Sequence, residues 1–109
     1  MDGLSHLEEK TMKAELLDEL VSLKQAKALN DALTRLQLHP DFNAVFTKHF
    51  FDQLPLQLVE NLSDVDAERR KVIEESLLCI SYVKKHLRDI KDAGEKAVIE
   101  ISNIESINQ

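Results

Sequence analysis

Glycine and proline are almost missing from this chain, with two of each in 109 residues. Turns in β-rich and α/β folds draw on those residues, so both fold types are excluded. Tryptophan is absent, and the aromatics are four Phe and one Tyr. A single cysteine rules out an internal disulfide framework and suits a reducing compartment. No apolar run approaches the roughly 18 residues of a membrane span. The opening Met1-Asp2-Gly3 is acidic and polar and does not read as a secretory leader. No catalytic, metal or cofactor motif stands out.

What is present is leucine, isoleucine and valine (17, 7 and 7 residues) interleaved with 31% charged residues. That is too apolar for disorder and has the profile of long amphipathic helices. The length fits a single helical domain, residues 1–109. A chain of this size buries only roughly 60–68% of its unfolded surface. Few, long helices leave apolar seams open, so self-association is expected.

The first periodic segment runs from about Leu4 to Leu38. Leu16, Leu20, Leu23, Leu29, Leu33 and Leu36, with Ala26 filling the longest gap, fall on one side of a helix. Leu17 and Val21 broaden the stripe. Proline disfavours the α conformation of the residue before it, so the helix should stop at His39-Pro40. Pro40 suits the first turn of a new helix, with Asp41 near its positive end. Phe42, Val45, Phe46 and Phe50 follow at helical spacing, and Phe51 extends the cluster. Pro55 interrupts the pattern, and a short helix should then carry Leu58, Val59 and Leu62.

Ser63-Asp64-Val65-Asp66 is a start signal. Ser63 or Asp64 is the expected cap, with Asp66 and Glu68 in the first turn. Nothing then stops a helix before about Ile107. Ile73, Leu77 and Ile80 form one seam; Val83, Leu87, Ile90, Gly94, Ala97, Ile101 and Ile104 continue it at steps of four and three. The step from Ile80 to Val83 reads as a stammer in the heptads. Such a helix is about 60 Å long. Its outer part, from about residue 94 to 109, should reach beyond the core as an assembly segment.

Constellations that could carry chemistry have plainer readings. Cys79 and His86 lie two turns apart, too far and too few for a metal site. His39, His49, Asp52, Ser63 and Asp64 could be composed into a hydrolytic triad, but the strained turn and oxyanion loop of such sites are missing. Adjacent carboxylates such as Glu8-Glu9, Asp18-Glu19 and Glu74-Glu75 diverge by about 100° on a helix and make a solvated face. No catalytic, cofactor-binding or metal residue is assigned, and the chain reads as a non-enzyme.

Charge is unevenly placed. The net charge is −6, yet residues 69–91 hold seven basic residues (Arg69, Arg70, Lys71, Lys84, Lys85, Arg88 and Lys91) against Glu74, Glu75 and Asp89. Residues 92–109 carry four acids and one lysine. Arg69, Arg70, Lys84, Lys85, Arg88 and Lys91 are candidate partner or nucleic-acid contacts. Many also have an acidic residue four positions away, which suits a salt-bridged helix and makes nucleic acid the weaker reading. The asymmetry also fits a self-contact in which the basic middle of one helix meets the acidic tail of another. Gly94 and Ala97 form a small-residue site in the seam, suited to a close helix crossing. With Ile101 and Ile104 they are the candidate self-association residues.

Taken in order, Leu33-Thr34-Arg35-Leu36, His39-Pro40-Asp41-Phe42, Phe50-Phe51, Leu58-Val59-Glu60-Asn61-Leu62, Val72-Ile73-Glu74-Glu75-Ser76-Leu77 and Gly94-Glu95-Lys96-Ala97 resemble small all-helical proteins of tailed bacteriophages, encoded in virion-assembly gene regions. The resemblance covers roughly residues 28–98 and rests on helix-pattern motifs. Phe50-Phe51 departs from the Tyr-Phe of the pattern. The resemblance implies a phage protein that binds other phage or host proteins, in the host cytoplasm or on the virion, and carries over no site residues.

The expected fold is all-α: two long helices forming a helical hairpin, joined by one or two short helices. The expected core is Leu16, Leu20, Leu23, Leu29, Leu33, Phe42, Phe46, Leu58, Leu62, Ile73, Leu77, Ile80 and Leu87. The expected function is helix-mediated self-association as a homo-oligomer, with partner binding, in phage structure or assembly. The alternatives are an acidic inhibitor of a nucleic-acid enzyme and a nucleic-acid binder acting through residues 69–91.

Overall fold

The structure, a computed structural model, describes the backbone of residues 2–107 and the side chains of residues 7–107. Leu4, at the expected start of the first periodic segment, has its side chain outside the described residues. Helix α1 spans Asp2–Gln37, α2 Pro40–Phe42, a π-helix Asn43–Gln53, α3 Leu54–Glu60, a 3-10 turn Asn61–Asp64, and α4 Ala67–Ile107. No strand occurs among the described residues. The fold is all-α, a helical hairpin of two long helices joined by short helical segments. The chain divides into two compact units, residues 1–31 with 90–109 and residues 32–89.

In the first unit, α1 offers Leu16, Leu20, Leu23, Ala26 and Asn30, and α4 offers Ile90, Gly94, Ala97, Ile101 and Ile104. Ala97 is completely covered. A Cβ added at Gly94 would collide with Cβ of Asn30 and lie 2.7 Å from its Nδ2. The missing side chain at 94 is therefore what lets α1 and α4 come together at Asn30. Leu29, expected in the core, is 55% exposed. The row steps from Ala26 by four to Asn30, which leaves Leu29 about 100° aside. Leu17 and Val21 are exposed as well and do not widen the seam.

In the second unit, the buried apolar residues are Leu33, Ile73 and Ile80, with Leu58, Leu62, Leu77 and Leu87 half-covered around them. The α1 row ends at Leu33, because Leu36 is exposed in the last turn. That turn tightens: Leu38 N–H donates to the carbonyls of Thr34 and Arg35, and His39 N–H to Leu36. Asn43 Nδ2 donates to the Gln37 carbonyl at 2.8 Å, covering a helix-end acceptor. His39 is extended and caps α2, its Nδ1 accepting from Asp41 N–H at 3.2 Å with Pro40 next in line. Since Nδ1 accepts there, the 3.9 Å approach of the same atom to the Asp41 carboxylate is not an ion pair.

The aromatic segment departs from α geometry. Its backbone bonds span five residues, and Leu54 N–H still donates to His49. A π-helix turns about 4.4 residues per turn, so Phe50 and Phe51 straddle the row of Phe46. In an α-helix Phe51 would sit roughly 140° away. Phe46 accordingly meets Phe50 at 6.0 Å, Phe51 at 6.3 Å and stacks on Phe42 at 5.0 Å. Phe46, expected in the core, is nevertheless an exposed residue, because these rings are its cover and part of it still faces solvent. Pro55 does not break the helix. A proline ring clashes with the carbonyl four residues back in an α-turn; here the turn before it is π, and the chain passes into α3 unbroken.

Ser63 and Asp64 belong to the 3-10 turn and do not cap α4. Asp66 does, its Oδ1 accepting from Arg69 N–H at 2.8 Å, with Glu68 in the first turn. Along α4 the buried and half-buried apolar row is Ile73, Leu77, Ile80, Val83, Leu87, Ile90, Gly94, Ala97, Ile101 and Ile104, with the expected step of three at Ile80.

Candidate interaction surface

The four expected self-association residues do not form an open face. Gly94 and Ala97 are buried inside the first unit, and Ile101 and Ile104 are half-buried in the same row. Small residues draw the helices of one chain together here, which covers Gly94 and Ala97 and leaves Ile101 and Ile104 partly open. Ile104 and Leu16, Leu17, Leu20 and Lys13 of α1 line one depression of about 210 Å³. Residues 94–107 thus belong to a compact unit with residues 1–31.

The six candidate basic contacts, Arg69, Arg70, Lys84, Lys85, Arg88 and Lys91, are all exposed on α4. The helix period groups Lys84, Arg88 and Lys91 on one side, with Lys85 about 100° away from Lys84. Among the described residues, two i,i+4 ion pairs close, Lys27–Asp31 on α1 at 3.0 Å and Arg70–Glu74 on α4 at 3.6 Å. The pairs Lys71/Glu75, Lys85/Asp89, Arg88/Asp92 and Lys91/Glu95 do not close within 4 Å among the described residues, so their charges face outward.

The second unit carries an apolar groove. Phe50, Leu54 and Leu58 form one wall, and Val72, Glu75, Ser76, Cys79 and Ile80 of α4 form the other, around about 520 Å³. Ser76 Oγ donates to the Val72 carbonyl at 2.9 Å, so Glu75 is the one charged group of the lining. A neighbouring pocket of about 360 Å³ is bounded by Leu58, Asn61, Asp64, Val65, Arg69 and Ile73. The Cys79 thiol is free and exposed. His39, one member of the composed triad, is occupied as a cap, while Ser63 and Asp64 sit in the 3-10 turn. No group of three His, Cys, Asp or Glu side chains is placed to hold a metal among the described residues.

Two large side chains escaped the reading of the sequence. Leu78 is 69% exposed and Tyr82 73% exposed, one turn apart on the side of α4 away from the buried row. Their signal was a second row of residues at steps of four and three, hidden because its charged members also read as pairs within the helix. The chain matches no protein-family model, no curated protein and no solved structure.

Proposed function

We propose that this chain is a non-enzymatic interaction protein that works by helix-mediated self-association and partner binding. The supporting observation is its uncovered apolar surface. Among the described residues, seventeen large hydrophobic residues are exposed, Leu78, Tyr82, Val72 and Phe46 among them. The setting follows the resemblance to helical phage proteins of virion-assembly regions: a structural or assembly component acting in the host cytoplasm or on the virion. Light scattering tests the reading. A dimer or larger species at tens of micromolar is expected, and a strict monomer there overturns it.

The unpaired charges of Lys84, Lys85, Arg88 and Lys91 favour nucleic acid as a second reading. It requires a mobility shift that weakens steeply with salt and vanishes when Lys84, Lys85 and Arg88 become Gln.

A further inference from the structure

The outward side of α4 carries a second regular row: Lys71, Glu75, Leu78, Tyr82, Lys85 and Asp89, at steps of 4, 3, 4, 3 and 4. This is the spacing of a coiled-coil seam. All six residues belong to the unit of residues 32–89 and all are exposed. The row faces away from Ile73 and Ile80; its residues stay exposed, Glu75 also bordering the groove opposite Phe50, Leu54 and Leu58. Neither Lys71–Glu75 nor Lys85–Asp89 closes as an ion pair among the described residues.

The order of charges in the row has a symmetry. When two copies are laid antiparallel, with a two-fold axis beside Ile80, Leu78 meets Tyr82 of the second copy. Glu75 then meets Lys85, and Lys71 meets Asp89. On one flank Glu74 comes beside Arg88 of the second copy. Every charge in the row meets its opposite, and the two apolar residues meet each other at the centre. Sliding one copy by a heptad sets Leu78 against Glu75 or Asp89 and breaks this match. A self-complementary patch of this kind is what an isologous contact requires.

We propose that two copies pair antiparallel through this row of α4, with Leu78 and Tyr82 at the centre and the Glu75–Lys85 and Lys71–Asp89 contacts setting register. The pairing rests on the self-association reading and gives it a surface. It differs from the expected contact through Gly94, Ala97, Ile101 and Ile104, of which Gly94 and Ala97 are buried and Ile101 and Ile104 half-buried. Charge matching at the rim sets register and partner choice more than raw affinity.

Charge reversal in two separate chains tests it. The Glu75–Lys85 contact occurs twice in each dimer. Glu75→Lys turns both occurrences into a meeting of two ammonium groups, and Lys85→Glu turns both into a meeting of two carboxylates. Both positions are exposed, so circular dichroism should show unchanged helicity. Sedimentation equilibrium should show each variant dimerising at least about tenfold more weakly than the original chain. An equimolar mixture of the two restores opposite charges at both contacts, and a heterodimer of wild-type strength is expected. Variants that dimerise like the original overturn the α4 contact while leaving self-association standing. Weakened variants that do not rescue one another overturn the antiparallel register. An original chain that stays monomeric overturns both this pairing and the self-association reading.

Discussion

The two units are held by opposite devices. In residues 1–31 with 90–107, the close approach is where side chains are smallest, at Gly94 against Asn30, with Ala97 fully covered. In residues 32–89, bulk does the work: a cluster of four phenylalanines on short helices, with Leu33, Ile73 and Ile80 buried. The first unit depends on how closely two backbones approach and tolerates no added atoms at one position. The second depends on how much apolar surface a few large residues cover. The difference tells where each unit is vulnerable: to insertion in the first, to truncation in the second.

The largest expected effect is therefore truncation in the second unit. Ile80→Ala removes a buried branched side chain and should cost about 2–5 kcal/mol. Ile104→Ala, at the half-covered end of the same α4 row, should cost about 1–2 kcal/mol. Urea unfolding followed by circular dichroism measures both. Equal losses would erase the contrast between the units.

The next effect inverts the ordinary preference of helices. Alanine is about 1 kcal/mol better than glycine in a helix interior. At Gly94 the new methyl group must displace Asn30, and overpacking of that kind costs about 1–3 kcal/mol. Gly94→Ala should therefore destabilise the chain by about 1 kcal/mol. Asn30→Gly removes the atom nearest the clash. In the Gly94→Ala background it should cost less than it does alone, giving a measurable coupling between the two sites. Additive losses would mean that the helices do not meet as closely as described.

Much of this architecture was legible because it repeats. The α4 row from Ile73 to Ile104, its short step at Ile80, and the break at His39-Pro40 all follow from periodicity and proline sterics. Where a tertiary partner redefines a position, the pattern misleads. Asn30 looks like a surface residue until Gly94 makes room for it, and Leu29 looks like core for the same reason. The π-helix was hidden because Phe42, Val45, Phe46 and Phe50 also satisfy an α-helical period. Only Phe51, which an α-helix would turn aside, carries its trace. The outward row of α4 was hidden by an ambiguity of charge. Lys71 and Glu75 suit a pair within one helix as well as contacts between two copies, and spacing alone does not choose. The basic stretch was visible in the sequence as an excess of charge, but its exposure without closed ion pairs was not.

The smallest effect concerns the start of α4, where sequence and structure disagree by two residues. Ser63 and Asp64 are good capping types, but the 3-10 turn Asn61–Asp64 takes them and Val65 is extended. Asp66 then stands one residue before the helix, and its carboxylate accepts from the third helical N–H, that of Arg69. A carboxylate there both satisfies a free donor and opposes the positive end of the helix. Asp66→Ala should cost about 1 kcal/mol. Ser63→Ala and Asp64→Ala should each stay within about 0.5 kcal/mol, as exposed residues without a capping bond do. The loss at Asp66 should be localised: amide exchange at Ala67, Glu68 and Arg69 should accelerate, while the Gly94 region keeps its protection. A loss of the same size from Ser63→Ala would return the cap to the position that the sequence pattern favours.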